Sequence, residues 1–160
     1  MSLVGTGFSS APKSETAASQ LWATAHKLSL CAPSFVSVTY GAGGGTREGS
    51  LTAVRRLAAE TSLTVAAHLT CAGASKAEVA EVAEQFREAG VRHIVALRGD
   101  GGPPGQRFSP HPDGFRNAAE LVAALRDIAP FEISVAAYPE THPDAASPQA
   151  DLDNLKRKID

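Results

Sequence analysis

Five short clusters hold the residues with chemistry to offer. Thr39-Tyr40-Gly41-Ala42-Gly43-Gly44-Gly45-Thr46-Arg47 joins a hydroxyl, a phenol and a cation through a glycine run. His68-Leu69-Thr70-Cys71 sets an imidazole and a thiol close together. Leu97-Arg98-Gly99-Asp100 puts a guanidinium two residues from a carboxylate. Tyr138-Pro139-Glu140-Thr141-His142-Pro143 supplies an aromatic ring, a carboxylate and an imidazole. Near the C-terminus Asp151, Asn154, Arg157 and Lys158 lie close to one another on a helical pattern.

Each cluster also has a plain structural explanation. The glycine run lacks the Gly-Lys-Ser/Thr ending of a phosphate-binding P-loop, and Thr46 stands where the dinucleotide fingerprint needs its third glycine. A flexible turn accounts for it. His68 and Cys71 are one pair, whereas zinc takes three or four ligands in tetrahedral array; a buried structural histidine fits better than a metal ligand. Asp100 suits either a loop-stabilising Asx-turn or a catalytic carboxylate. His142, between Pro139 and Pro143, can stiffen a loop. The last cluster also reads as a solvated helix face. His26, His93 and His111 are assigned no role.

The elements that must position these groups follow from periodicity. Apolar, β-branched runs predict strands at Phe35–Thr39, Leu63–Ala67, Ile94–Leu97 and Ile133–Ala137, with a weaker first strand over Leu3–Phe8. Most do not alternate in polarity, which predicts strands buried on both faces of a parallel sheet. Between them run helical stripes: Ala18, Leu21, Trp22, Ala25 and Leu28; Leu51, Val54, Leu57 and Ala58; Val79, Val82 and Phe86; Ala118, Leu121, Val122, Leu125 and Ile128; and Leu152, Leu155 and Ile159. Ser75-Lys76-Ala77-Glu78 is a capping box, Gly90 a helix stop, and Ser147-Pro148 an N-cap followed by proline at the first helical position. Asp100–Gly114, rich in Gly and Pro, reads as a long irregular loop.

The resulting order, β-α repeated five times, implies a parallel sheet with right-handed crossovers. An open doubly wound sheet and a (β/α) barrel both satisfy it. A full barrel takes about 250 residues, so five of its eight units take roughly 156. The chain has 160 residues and reads as a single domain over 1–160. In either architecture ligands bind at the carboxyl ends of the strands, where the clusters fall.

Composition removes several classes. With 43% hydrophobic and 20% charged residues the chain is globular rather than disordered. A net charge of −2 and a pI of 6.2 do not point to nucleic acid or an anionic membrane. No apolar run approaches the ~20 residues of a membrane span, and no signal peptide is evident. Two cysteines, Cys31 and Cys71, argue for reduced thiols and a cytoplasmic protein.

Taken in order, the motifs resemble the methylenetetrahydrofolate reductase family. The matching segments are Phe35-Val36-Ser37-Val38-Thr39-Tyr40-Gly41-Ala42-Gly43, Ala67-His68-Leu69-Thr70-Cys71, Ala96-Leu97-Arg98-Gly99-Asp100, Val135-Ala136-Ala137-Tyr138-Pro139-Glu140, His142-Pro143 and Ala150-Asp151-Leu152 through Asn154-Leu155-Lys156-Arg157-Lys158. The resemblance runs from about Lys13 to Asp160. It implies a TIM-barrel-type fold, here an incomplete barrel of about five βα units, with three more strands expected after Asp160. It implies FAD as cofactor, NADH or NADPH as hydride donor, and reduction of 5,10-methylenetetrahydrofolate to 5-methyltetrahydrofolate.

By the same resemblance Thr39 is a nicotinamide contact, and Tyr40 and His68 are flavin contacts. Arg98, Gly99 and Asp100 line the isoalloxazine and ribityl region, and Ala118, Tyr138, His142 and Ala145 continue the cleft. Asp151, Asn154, Arg157 and Lys158 hold the ribityl-diphosphate or adenosine end, where two cations suit a pyrophosphate. Asp100 is the expected catalytic carboxylate, stabilising cationic folate. Two departures stand out. The family's general acid, a Glu at the end of the first strand, is replaced by Phe8, or by Gly7 if one residue is inserted. Asn117 stands where the family often has an aromatic residue. The rivals are a non-catalytic relative that binds flavin or folate or only a partner, and a metal-dependent (β/α) hydrolase using His68, His142 and Asp100. Open sheet edges in a partial barrel predict marginal stability or self-association into a homo-oligomer.

Overall fold

A computed structural model describes residues 6–8, 14–41, 47–100, 108–138 and 140–159. Ala42–Thr46 of the glycine run, 101–107 of the Gly/Pro-rich stretch, Pro139 and the start of the first predicted strand lie outside the described residues, as do the side chains of Thr6–Phe8 and Ala18. Strands β1 (Thr6–Phe8), β2 (Val36–Val38), β3 (Val65–Thr70), β4 (His93–Leu97) and β5 (Glu132–Val135) alternate with helices α1 (Glu15–Leu30), α2 (Arg47–Glu60), α3 (Lys76–Glu88), α4 (Ala118–Ile128) and α5 (Pro148–Ile159).

The five strands form one parallel sheet in the order β1-β2-β3-β4-β5. That order decides between the two architectures. A doubly wound sheet reverses direction at a switch point and carries helices on both faces. Here each right-handed crossover steps the same way, so the helices line up on one face, with α2 against α3, α3 against α4 and α4 against α5. This is the arrangement of an incomplete (β/α) barrel.

Burial alternates along β2, β4, β5 and the end of β3, unlike the two-faced burial expected from sequence, which holds only at the start of β3, where Val65, Ala66 and Ala67 are all buried. Val36, Val38, Leu69, Ile94 and Ala96 point to the helices and are buried, while Ser37, His68, Thr70, Val95 and Leu97 on the other face are only partly so. A barrel interior is filled by layers of side chains from all its strands. Five strands leave that inner face half open, although Val95 and Leu97 are apolar. The helix-side core is built around Phe86, Leu57, Leu121 and Leu125, all fully buried.

The predicted helix stripes face this core, with one exception. The fourth buries Leu121, Val122 and Leu125, and the third buries Val79 and Phe86. α5 contributes no buried residue, and Leu152 and Ile159 are exposed. Of its apolar stripe only Leu155 is partly covered.

Local chemistry sets the ends of α3. Ser75 Oγ accepts from Glu78 N–H at 3.2 Å, and the Glu78 carboxylate accepts from Ser75 N–H at 2.8 Å, so both arms of the box are present. A cap of this kind contributes about 1 kcal/mol. At the other end Val91 N–H reaches Phe86 C=O and Gly90 N–H reaches Arg87 C=O, both at 3.0 Å. This is the Schellman pairing, and it needs the left-handed φ of 81° at Gly90.

Candidate functional site

The carboxyl ends of β2 to β5 open onto one cavity of about 940 Å3. Thr39 and Tyr40 approach it from β2, and His68 and Thr70 from β3. Arg98, Gly99 and Asp100 follow β4, and Ala118 opens α4. Tyr138, His142 and Ala145 follow β5, and Asp151, Asn154 and Lys158 come from α5. Of the site residues expected from sequence, all but Arg157 line this cavity. The helical period explains the exception. Asp151, Asn154, Leu155 and Lys158 recur at three- and four-residue steps on one face, whereas Arg157 turns away and is exposed.

On the β2 side, Tyr40 sits edge-on to Phe86, with ring centroids 6.5 Å apart. Burial raises its phenol pKa, and Arg47 opposes that rise. Arg47, to which the sequence alone assigns no role, also lines the cavity. Its Nη2 donates to Ala72 C=O at 2.6 Å, tying the start of α2 to the loop after β3. Gly41 N–H donates to the buried Ser50 hydroxyl at 3.0 Å, which fixes the backbone as it leaves Tyr40.

His68 lies inside β3 rather than after it, on the inner face, and partial burial lowers its pKa from the usual 6.5. Cys71 is fully buried, burial pushes its thiol pKa up, and its Sγ donates to Arg98 C=O at 3.4 Å. A buried thiol of raised pKa is a poor nucleophile, so Cys71 is structural. Ala72 N–H donates to the same Arg98 carbonyl at 2.9 Å. These two bonds hold the backbone at Arg98. Its guanidinium lies 4.7 Å from the centroid of the Phe108 ring and bonds Asp144 at 2.9 Å. Asp100 is exposed at the cavity wall.

On the β5 side, Tyr138 and His142 meet with ring centroids 4.8 Å apart. His142 N–H donates to the Asp151 carboxylate at 3.0 Å, so Asp151 braces the turn as well as lining the cavity. Lys158 Nζ donates to Ala136 C=O at 2.6 Å, and desolvation lowers its pKa. Asn117 has a local duty. Its Oδ1 accepts from Glu120 N–H at 3.0 Å as the N-cap of α4. An aromatic residue there would lose that cap.

A metal hydrolase built on His68, His142 and Asp100 finds no support. No group of three His, Cys, Asp or Glu side chains among the described residues is placed to hold a metal ion. No helix among those residues is long and apolar enough to cross a membrane.

The fold and cavity define a (β/α)-barrel segment with its polar groups gathered at the strand ends. Comparison with known sequences narrows the class. The methylenetetrahydrofolate reductase family model matches residues 6–160, and the chain belongs to that family. It is 46% identical to the 5,10-methylenetetrahydrofolate reductase of Pectobacterium carotovorum subsp. carotovorum over 93% of this chain and 48% of that protein. It is 47% identical to the Salmonella typhimurium protein of that name, over the same shares. Against Arabidopsis thaliana methylenetetrahydrofolate reductase (NADH) 1 the identity is 35%, over 93% of this chain and 27% of that protein. The chain thus spans about half the length of the bacterial relatives it matches.

Proposed function

We propose that this chain forms the first five βα units of a flavin-dependent reductase of 5,10-methylenetetrahydrofolate, as a single domain over 1–160. The observation that carries the reading is the convergence of the expected residues, Arg157 apart, on one cavity. The residues present fit FAD. The cavity falls within the ~300–1,000 Å3 usual for cofactor sites. It offers aromatic surface at Tyr138, cations at Arg98 and Lys158, and the amide of Asn154.

When bound, FAD supplies hydride transfer from NADH or NADPH to the folate. Lys158 and Asn154 would hold its diphosphate-bearing end, and Tyr138, His142, Arg98 and His68 its ring system. Thr39 would face the nicotinamide. The Asp100 carboxylate would favour positive charge developing on the folate as the methylene bridge opens to an iminium ion. The partners are then small molecules, in a cytoplasmic enzyme of one-carbon metabolism that supplies methyl groups for methionine.

A second reading, a relative that binds flavin or folate without turning over, is favoured by one feature. Neither Gly7 nor Phe8 can donate a proton where the family's acid is expected. The test starts with FAD titration into the chain, followed by flavin fluorescence quenching. The chain extended to the length of its relatives is then mixed with NADH and afterwards with methylenetetrahydrofolate. Flavin reduction followed by reoxidation supports the reductase. Reduction alone supports the second reading, and absence of flavin binding by the extended chain removes the reductase and leaves the second reading through folate alone.

A further inference from the structure

The β4 and β5 sides of the cavity are joined through one residue that the functional reading does not use. Asp144 Oδ2 accepts from Arg98 Nη2 at 2.9 Å, across 46 positions of sequence. The backbone N–H of the same residue donates to Nδ1 of His142 at 3.0 Å. Arg98, His142 and Asp144 all line the cavity. With Nδ1 accepting, the proton of the neutral imidazole belongs on Nε2.

A second turn in the chain shows which part of this arrangement is local. His111-Pro112-Asp113 repeats the His-Pro-Asp sequence of His142-Pro143-Asp144. Asp113 N–H donates to His111 Nδ1 at 3.1 Å. Gly114 N–H closes on His111 C=O at 2.8 Å, as Ala145 N–H closes on His142 C=O at 2.9 Å. Yet the Asp113 carboxylate has no hydrogen bond or ion pair among the described residues. The turn therefore forms without a bonded carboxylate. The carboxylate of Asp144 is left for another task, and it is spent on Arg98.

We propose that Asp144 is a positioning residue of this cavity: its carboxylate fixes the Arg98 guanidinium and its N–H fixes the His142 ring, presenting both to the ligand as preset donors. The proposal rests on the FAD reading and adds to it a residue that acts through Arg98. The half-exposed ion pair adds little to stability. Its effect lies in preorganisation, because a free arginine must give up rotamer freedom on binding and a held one has already done so. The loss on releasing Arg98 is about 3- to 10-fold in ligand affinity.

The test uses Asp144→Asn, which keeps the turn's N–H and removes the charge, with Asp144→Glu as the conservative rescue. Two signals are read without any ligand: protection of the Arg98 Nη2–H from solvent exchange, and the nitrogen shifts that report the His142 tautomer. FAD affinity is read separately by fluorescence quenching. Asp144→Asn, which keeps a neutral acceptor but loses the charge, should reduce the Arg98 protection, leave the Nε2–H tautomer in place and weaken FAD about 3- to 10-fold. Asp144→Glu should restore both, and Asp113→Asn should change neither. In an Arg98→Gln background Asp144→Asn should cost less than about 2-fold further. Unchanged Arg98 protection in Asp144→Asn overturns the strap, and so does a full additional loss in the Arg98→Gln background. If the parent chain binds no FAD, the cofactor reading fails and the protection signal alone decides whether Asp144 holds Arg98.

Discussion

Gly99 lies hard against Thr70: a Cβ placed on Gly99 would come within 3.0 Å of the Thr70 Cβ and 2.9 Å of the Ala72 Cβ. The backbone there is left-handed, with φ of 84°. Both facts follow from the close approach of the β3 and β4 ends, which sets Arg98 and Asp100 on either side of one tight bend.

Two glycines separate strain from crowding. Gly90 has nearly the same φ, 81°, but nothing lies within 4 Å of the point a Cβ would occupy there. Gly90→Ala should cost about 1–2 kcal/mol, the usual cost of a left-handed alanine. Gly99→Ala should cost about 1–3 kcal/mol more, since two rigid neighbours must shift. Urea unfolding midpoints with unchanged slopes measure both. Equal losses would show that the β3 and β4 ends yield freely.

His68 makes stability depend on pH in one direction. Burial lowers its pKa below 6.5 in the folded chain. Below that value the unfolded chain binds a proton that the folded one resists, so this contribution is complete above pH 6.5 and fades as pH falls through the folded value. His68→Gln should flatten the loss of stability that sets in as pH falls below 6.5. Denaturation of parent and variant at several pH values measures the difference, and parallel curves would refute the assignment.

Asp100 should act on the folate half of the reaction more than on cofactor binding. In the chain extended to its relatives' length, Asp100→Asn should bind FAD nearly as the parent does. Substrate-driven reoxidation should fall about 10- to 1,000-fold, the range for one preorganised electrostatic group. Rapid mixing of each half-reaction separates the two effects. A loss of FAD with reoxidation otherwise intact would make Asp100 a loop residue.

Much of this site was legible because strand ends in a parallel fold gather whatever follows them. Reading the residues after each β-branched run found Tyr40, His68, Arg98 and His142, and the structure brings them to one cavity. Periodicity alone did not choose barrel over doubly wound sheet, since both give the same alternation; the family resemblance did, and the strand order agrees with it. Arg157 was assigned with Lys158 by the family resemblance; in the structure it lies off the cavity, because one residue is a 100° turn of helix. The half-open inner face was hidden because Val95 and Leu97 are apolar whether or not a barrel closes over them. Asp144 left one faint trace, the repeated His-Pro-Asp, whose meaning needed the distance to Arg98.

The strand register bears on the family's missing acid, which the sequence alone places at Phe8. Phe8 pairs with Val38, and Val38 with Ala67; Gly7 pairs with Ser37, and Ser37 with Ala66. Period two along a strand puts Ser37 on the face of Thr39, and Ala66 on the face of His68 and Thr70. That face carries the cavity. Val38 and Ala67 belong to the face buried against the helices. The register position that suits a proton donor is therefore that of Gly7. A well-placed acid contributes about 10²- to 10⁴-fold, whereas hydride transfer from nicotinamide to flavin needs none. In the extended chain Gly7→Glu should raise methylenetetrahydrofolate-driven reoxidation at least about tenfold and leave NADH-driven reduction little changed. Phe8→Glu should gain nothing, since its register partner Val38 belongs to the face opposite the cavity. A gain from Phe8→Glu alone would overturn the register argument. No gain from either, in an extended parent that already reoxidises quickly, would mean that another residue supplies the proton.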